Sequence, residues 1–473
     1  MPQLFGFNKV AIRGPKPLPF IGTIGSLYKL LNDPVDVVMS LRSRGEEVVT
    51  LMDQNPAVIF VFGSERNREV LSQPAVFRHD EDLIKAPPET AMGKMRFGMV
   101  VINGDLHKRH RKLMQPAFQK SALDSYAPNI VATTRVMLEQ WKIGEVSMVD
   151  DLCRETVLAM TMKCFYGLDI GKDAHELGHL AAEWGKTLVA PSTILLPFNI
   201  PGLGYWKSLK LGESVVAYLS AIIENKRQKG SEQKDVMWSI MNARDDEGKP
   251  LTEDELIAQS AALFFAGHET TAVTLAWTLF LLERHPAIHA ALMAEIDTIL
   301  GGRDPEVEDI QRMELLNRVI KESMRIFPAV PFLFMRVCAE DATVGGFGVP
   351  KGSNVMISPL AAHHDPVRFP EPKRFMPNRW IDMTPSLYEY MPFGAGARAC
   401  IGMLFAERAL RLMLPMVLQR FRFSMAAGTR IDRLTRGNIL HPRRGLPMRI
   451  EAASASAPQP APITGDIHQL LEY

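Results

Sequence analysis

Three short stretches carry residue types spaced for chemistry. Residues 175–179 read HELGH, two histidines one helical turn apart around a glutamate, the spacing that in zinc peptidases supplies two metal ligands and a general base. Residues 393–402 read FGAGARACIG, followed directly by MLFAERALRLML at helical spacing, so a glycine-rich loop delivers Cys400 to the start of a helix. Unpaired N–H groups and the positive end of the helix dipole favour a thiolate there, the form that ligates metals. Arg398 and the loop glycines suggest a segment held close to something flat and anionic. Residues 266–271, AGHETT, place Glu269 beside Thr270. An acid next to an alcohol could relay protons; the structural alternative is back-bonding of the threonines to carbonyls four residues earlier. Gly267 weakens the helix by about 1 kcal/mol relative to Ala but would let something bulky approach its face.

The two metal readings compete. A catalytic zinc needs a third protein ligand and a fixed second shell. Where the extended zincin pattern wants a glycine and a third histidine, the chain has Ala182 and Gly185. Glu213 could substitute in principle, yet nothing around it resembles a ligand helix. HELGH is therefore expected to be a chance spacing on an amphipathic helix, with His175 and His179 as surface or packing residues.

The elements that must position these residues can be read as well. Thr252 and Glu255 form a capping box, and the chain then runs without proline to Pro286. That predicts a helix of roughly thirty residues, about 45 Å long. It is apolar nearly all round and so belongs inside the protein, where the polar cluster at 267–271 is costly unless compensated. Helical periodicity fills most of 122–300, interrupted at 191–206 and 234–250. Residues 46–63 read as a hairpin, with β-like pieces at 333–337 and 354–357. Pro415 should bend the helix after the cysteine loop. Residues 452–462 are low-complexity, so 452–473 is expected to be a disordered tail behind one domain spanning 1–451. The fold class predicted is mainly α with small β-sheets.

Composition narrows the function classes. Of 473 residues, 47% are hydrophobic, enough for one large core. Lys and Arg total 54 against 53 for Asp and Glu, which gives no reason to expect a nucleic-acid polyanion as global partner. HKRHRK (107–112) lacks the interleaved aromatics of a nucleic-acid patch. Four scattered cysteines without a CxxC pair argue against a disulfide framework. With no apolar run long enough to span a bilayer and no signal-peptide layout, a soluble cytoplasmic protein is expected.

Phe393, Gly396, Arg398, Cys400 and Gly402 match every fixed position of the cysteine signature of the cytochrome P450 family, which the sequence resembles over nearly its whole length. AGHETT resembles the family's oxygen-activation segment. KESMR supplies Glu322 and Arg325 at the family's Glu-x-x-Arg spacing, and three residues apart on a helix they share a face. Arg374 in PKRF resembles the third member of that network. The resemblance implies a single cytochrome P450-type domain with haem b, Cys400 thiolate as iron ligand, and the distal face against 267–271. For the haem propionates it implies Arg398, Arg336, and His107 with Arg111. It implies a monooxygenase that activates O2 and oxidises a C–H or C=C bond of a hydrophobic small molecule. Glu269 and Thr270 are then the proton path. The substrate classes are fatty acids, terpenoids or steroids, and polyketide-like metabolites, held among the central helix, 85–100, 191–206 and 329–334. With no fused reductase in the chain, electrons come from an external donor, a ferredoxin or flavodoxin with an NAD(P)H reductase. The HKRHRK charges not facing the propionates would form an acidic donor's docking surface. The competing readings are a peroxide-driven or isomerising haem-thiolate enzyme and, from another class, a non-catalytic haem sensor, against which the Glu269–Thr270 pair argues.

Overall fold

The computed structural model describes residues 7–16, 22–81, 86–169, 172–188, 190, 193, 196–230, 235–454 and 459–473. The helices that build or brace the site are, in chain order, α1 (Gly104–Met114), α2 (Val149–Tyr166), α3 (Lys172–Leu188), α4 (Gly204–Lys229), α5 (Glu253–Arg284), α6 (Glu314–Ile326) and α7 (Met403–Arg420). The predicted long helix is α5, and its capping box is present: the Glu255 amide donates to Thr252 Oγ1 at 3.3 Å and the Thr252 amide to Glu255 Oε2 at 2.8 Å. Because α5 is apolar on nearly every side, it runs through the core, with Phe264, Leu275, Trp277 and Phe280 fully buried.

The predicted hairpin is β1 (Val48–Met52) with β2 (Asn55–Val61). It joins β3 (Phe77–His79), β4 (Arg336–Cys338) and β5 (Asn354–Ile357) in a five-stranded sheet of order β1-β2-β5-β4-β3. β2 and β5 run parallel, while β3 lies antiparallel to β4 with His79 opposite Arg336. Two β-like sequence pieces more than 250 positions away from β3 thus bring Arg336 beside His79. A second hairpin, β6 (Arg433–Arg436) and β7 (Ile439–Pro442), stands apart as a two-stranded sheet. Its turn uses Gly437 at φ 61°, a conformation that favours glycine. The 234–250 interruption holds one short helix, Val236–Asn242, capped by Asp235.

Helix α7 continues through Pro415, which is buried within it, so packing outweighs the one backbone bond that proline removes. One expectation needs correction: 459–473 is not a disordered tail. Residues 459–473 return to the body of the protein, burying Ile463, Ile467, Leu470 and Leu471. The low-complexity composition of 452–462 says nothing of these four apolar side chains further on, whose burial holds the segment down.

Candidate functional site

The cysteine loop is shaped by glycines with positive φ and by one close approach. Gly396 has φ 72°, and a Cβ there would lie 2.5 Å from the Leu71 carbonyl oxygen. The Cys400 amide donates to the Phe393 carbonyl at 2.8 Å, closing the loop. Gly402 caps α7, and a Cβ on it would be 3.9 Å from Cys400 Sγ. The sequence predicts a thiol favoured as thiolate, but burial pushes the Cys400 thiol above its ordinary value, with the Gly402 amide and Arg111 opposing. Part of the side chain is accessible, yet protein surrounds it on most sides and that desolvation dominates. The other three cysteines are fully buried, with burial raising each thiol as well.

Three arginines and two histidines, drawn from α1, β3, β4 and the loop itself, gather here. Arg111 on α1 donates to the Ala399 carbonyl at 2.8 Å. Arg398 donates to the carbonyls of Met99 (3.1 Å) and Ile102 (2.6 Å) and to Asn103 Oδ1 (2.7 Å). Arg336 on β4 is buried and donates to the Phe334 carbonyl at 3.2 Å. Burial lowers Arg336 to about 10, and repulsion from Arg398 adds to it; Arg398 is lowered to about 10 by burial and then by Arg111. Burial, then Arg398 and Arg111, holds His107 at about 4. Sequence reasoning missed His79, whose Nδ1 meets the Val100 carbonyl and which burial, then Arg336 and Arg398, lowers to about 3. Its Nε2 is buried without a hydrogen-bond partner. Among the described residues no carboxylate pairs with Arg111, Arg336 or Arg398. Cations withdrawn from water without counter-charge, Arg336 fully and Arg111 and Arg398 in part, are costly, so the cluster fits a bound dianion such as a pair of haem propionates, and Cys400 beside it fits an iron ligand.

The remaining charges of HKRHRK behave differently from expectation. Lys108 pairs with Asp105, Lys112 with Asp246, and Arg109 with Asp245 and Glu255. These local carboxylates neutralise the charges that were expected to form a docking surface.

On α5, neighbours in sequence diverge in space. Glu269 turns to Arg154 on α2 (Nε at 3.0 Å), with His441 Nδ1 at 3.6 Å and His268 Nε2 at 3.7 Å. Burial raises its carboxyl, but Arg154, His268 and His441 together outweigh this and hold it below the usual carboxylate range. Thr270 Oγ1 donates to the Ala266 carbonyl at 2.8 Å, and Thr274 Oγ1 to the Thr270 carbonyl at 2.8 Å. The back-bonding alternative is therefore real, and it commits the hydroxyl proton while leaving the oxygen's lone pairs as acceptors. Gly267 does not open α5 to a bulky ligand. A Cβ there would lie 2.7 Å from Phe165 Cε2 and 3.4 Å from Thr161 Cγ2, so the missing side chain admits the α2 ring.

Behind the loop, Glu322 and Arg325 on α6 are fully buried and joined by two bonds, 2.9 and 2.8 Å. The third arginine is not Arg374, whose side chain meets Glu371 at the surface and whose carbonyl only accepts from Arg325. Arg379 takes that place, donating to Glu322 Oε1 at 2.9 Å, with Trp380 Nε1 on Oε2 at 2.9 Å. PNRW (377–380), a second Pro-x-Arg followed by an aromatic residue five positions after PKRF, was the available signal. Arg325 also donates to the His363 carbonyl, and His363 Nε2 accepts from the Met391 amide, two residues before Phe393.

His175 and His179 lie on α3, but their side chains fall outside the described residues. Among the described residues no group of three metal-capable side chains gathers. The missing Cβ of Gly178 accommodates Leu158 of α2, so this part of HELGH serves packing. Of the expected substrate-facing stretches, 95–99 is tied to α5 by Gln259, which donates to the Phe97 carbonyl and accepts from the Met99 amide. Residues 82–85, 191–192 and 194–195 lie outside the described residues. The hairpin β6–β7 was missed, although GN between two short β-rich runs is a hairpin signal.

A thiol at a helix start, a loop with close glycines and a cluster of arginines without carboxylate partners are the features a haem-thiolate site would need. The cytochrome P450 family model matches residues 12–447, and the chain belongs to that family. Mouse cytochrome P450 3A41 is 30% identical over 94% of this chain and 92% of its own length. Cyclooctat-9-en-7-ol 5-monooxygenase of Streptomyces melanosporofaciens is 29% identical over 88% and 90%, and pentalenene oxygenase of Streptomyces avermitilis 27% over 94% and 98%. The fold is that of a retinoic acid bound cyanobacterial CYP120A1, with a TM-score of 0.80 at 24% identity over 94% of this chain and all of that one. The chain is thus an oxidoreductase, a monooxygenase of a family that uses haem, O2 and an external electron source. Among the described residues no helix is long and apolar enough to cross a membrane.

Proposed function

We propose that this chain, carrying haem b on Cys400, transfers one oxygen atom of O2 to a hydrophobic small molecule, with a terpenoid the first class to test. The other oxygen leaves as water, which takes up two protons and two electrons from a separate ferredoxin or flavodoxin and its reductase. When bound, the haem supplies the dioxygen activation and the redox steps. The residues supply the rest. Arg111, Arg336 and Arg398 would hold the two propionates, relieving the arginines' own charge, with neutral His107 as a hydrogen-bond donor beside them. Cys400 provides the sulfur ligand, and the Glu322–Arg325–Arg379 network holds its loop through His363. Thr270 Oγ1 would accept a hydrogen bond through its free lone pairs and pass on a proton by exchanging its bond to the Ala266 carbonyl. Glu269, kept ionised by Arg154 on the α2 side, has no proton of its own to give and braces α5 against α2.

The observation that carries this reading is Cys400 beside a partly buried arginine cluster without carboxylates. Two Streptomyces relatives that oxygenate terpenoids support the substrate class. Replacing Cys400 with Ala is expected to abolish the strongly red-shifted reduced-CO spectrum, whereas Cys153, Cys164 and Cys338 variants keep it. If Cys400→Ala retained that spectrum, the ligand assignment would be wrong. Titrating the wild-type holoprotein with terpenoid, fatty-acid and polyketide libraries, read by the haem spin-state change, tests the substrate class.

A further inference from the structure

The hairpin β6–β7 packs against α5 and the 329–334 segment. Trp277 Nε1 donates to the Leu440 carbonyl at 2.9 Å, the Leu440 amide to the Ala329 carbonyl at 2.9 Å, and His441 lies 3.6 Å from Glu269. Asn438 also donates to the Phe332 carbonyl. These bonds secure β7, the turn and nothing of the outer strand β6. A two-stranded sheet is marginal by itself in water, so the position of this hairpin depends on what holds β6.

Besides pairing with β7, β6 is held by Arg433, whose Nη1 donates to Asp33 Oδ1 at 2.6 Å, and residues 459–473 add a row of bonds. The Ile431 amide donates to the Thr464 carbonyl (2.8 Å) and the Thr464 amide to the Thr429 carbonyl (2.9 Å), on the run leading into β6. Within β6, the Arg433 amide donates to Asp466 Oδ1 at 2.7 Å, and the Asp466 amide returns a bond to Asp432 Oδ1 at 3.0 Å. The clasp requires Gly465: its φ is 117°, and a Cβ would lie 2.0 Å from the Ile431 carbonyl oxygen. The far end of the segment is anchored elsewhere. The Glu472 amide donates to the Lys373 carbonyl at 3.0 Å, His364 Nε2 lies 3.4 Å from the Leu470 carbonyl, and Leu470 and Leu471 are buried. Lys373 adjoins Arg374, whose carbonyl receives Arg325. The segment therefore spans from the hairpin to the network behind the cysteine loop, and the family match ends before it, at residue 447.

We infer that residues 459–473 are a positioning strap: they fix β6–β7 against α5 and so set the shape of the substrate chamber without touching the haem ligand. This rests on the reading above that α5 and 329–334 border the substrate. The strap is tested on the holoenzyme with two azoles, imidazole, which needs only the iron, and clotrimazole, which also fills the chamber. Deletion of 459–473 and Asp466→Ala should each leave the reduced-CO spectrum and imidazole affinity unchanged. Clotrimazole affinity should fall about tenfold, and amide exchange at Ile439 and Leu440 should quicken by a similar factor, as expected for a lost backbone clasp. Asp466→Asn, which retains an oxygen for the Arg433 amide, should stay within about twofold of wild type. If the deleted form does not fold, the Asp466 pair alone decides. Lowered thermal midpoints with unchanged clotrimazole affinity and exchange would overturn the proposal, leaving the segment merely adhesive. Equal losses for both azoles would overturn it too, placing the defect at the iron. Wild-type protein giving no imidazole spectrum would instead defeat the haem reading, and exchange at the hairpin would then judge the strap.

Discussion

Thr270 is the residue at which the structural and the chemical roles of a side chain are hardest to separate, because its hydroxyl has a backbone partner at Ala266. A helix interior does not need that bond, so its loss should barely affect stability. Thr270→Ala is expected to keep the haem spectrum and to keep consuming reductant. Product formed per reductant should fall on the order of 10², the low end of what positioned proton transfer contributes, with hydrogen peroxide making up the balance. Unaltered product per reductant would remove Thr270 from the proton path. A second contrast separates two arginines that the sequence could not rank. Arg379→Ala removes one of two arginines from a buried carboxylate and should lower unfolding stability by about 1.5–3 kcal/mol, whereas Arg374→Ala, at the surface with Glu371, should stay within about 0.5 kcal/mol. Urea midpoints of the two holoproteins check both.

At the scale of elements, the decisive contact is between α5 and α2. Gly267 sits where Phe165 crosses, and adding a methyl group would drive a Cβ to 2.7 Å from the ring. Gly267→Ala gains helix propensity of about 1 kcal/mol but overpacks a close crossing at about 1–3 kcal/mol. The net expectation is a lower thermal midpoint with unchanged haem content. Haem loss at unchanged stability would mean that the glycine faces the cofactor after all. The same crossing sets the orientation of Glu269, since Arg154 projects from α2 toward it. Periodicity made α5 legible, together with its cap and its buried character. The facing helix was not readable, because no local pattern encodes which ring fills which gap.

Across the whole molecule, buried neutral histidines couple stability to pH. Burial, then Arg325, lowers His364 to about 3, and burial, then Arg422, lowers His289 to about 4, both from an ordinary 6.5. Between 6.5 and about 4 the unfolded chain binds protons that the folded one refuses, so stability is full above pH 6.5 and falls as pH drops through that window. Urea midpoints measured at pH 7.5 and pH 5 should show the loss, and His364→Gln together with His289→Gln should flatten the slope while lowering the midpoint at pH 7.5. An unchanged slope would show that these two rings are not the source.

The sequence by itself determined the glycine loop that brings Cys400 to a helix start, the central helix with its capping box, and the pairing of Glu322 with Arg325, because each lies within one loop or one helical turn, where spacing fixes geometry. Only the tertiary structure decided what long-range packing controls. It brought His79 beside Arg336 across two strands, chose Arg379 over Arg374 for Glu322, and gave the space at Gly267 to Phe165. It also turned Glu269 toward Arg154 and returned 459–473 to the hairpin. In each of these the partners are far apart along the chain, and their meeting is set by how strands register and helices cross.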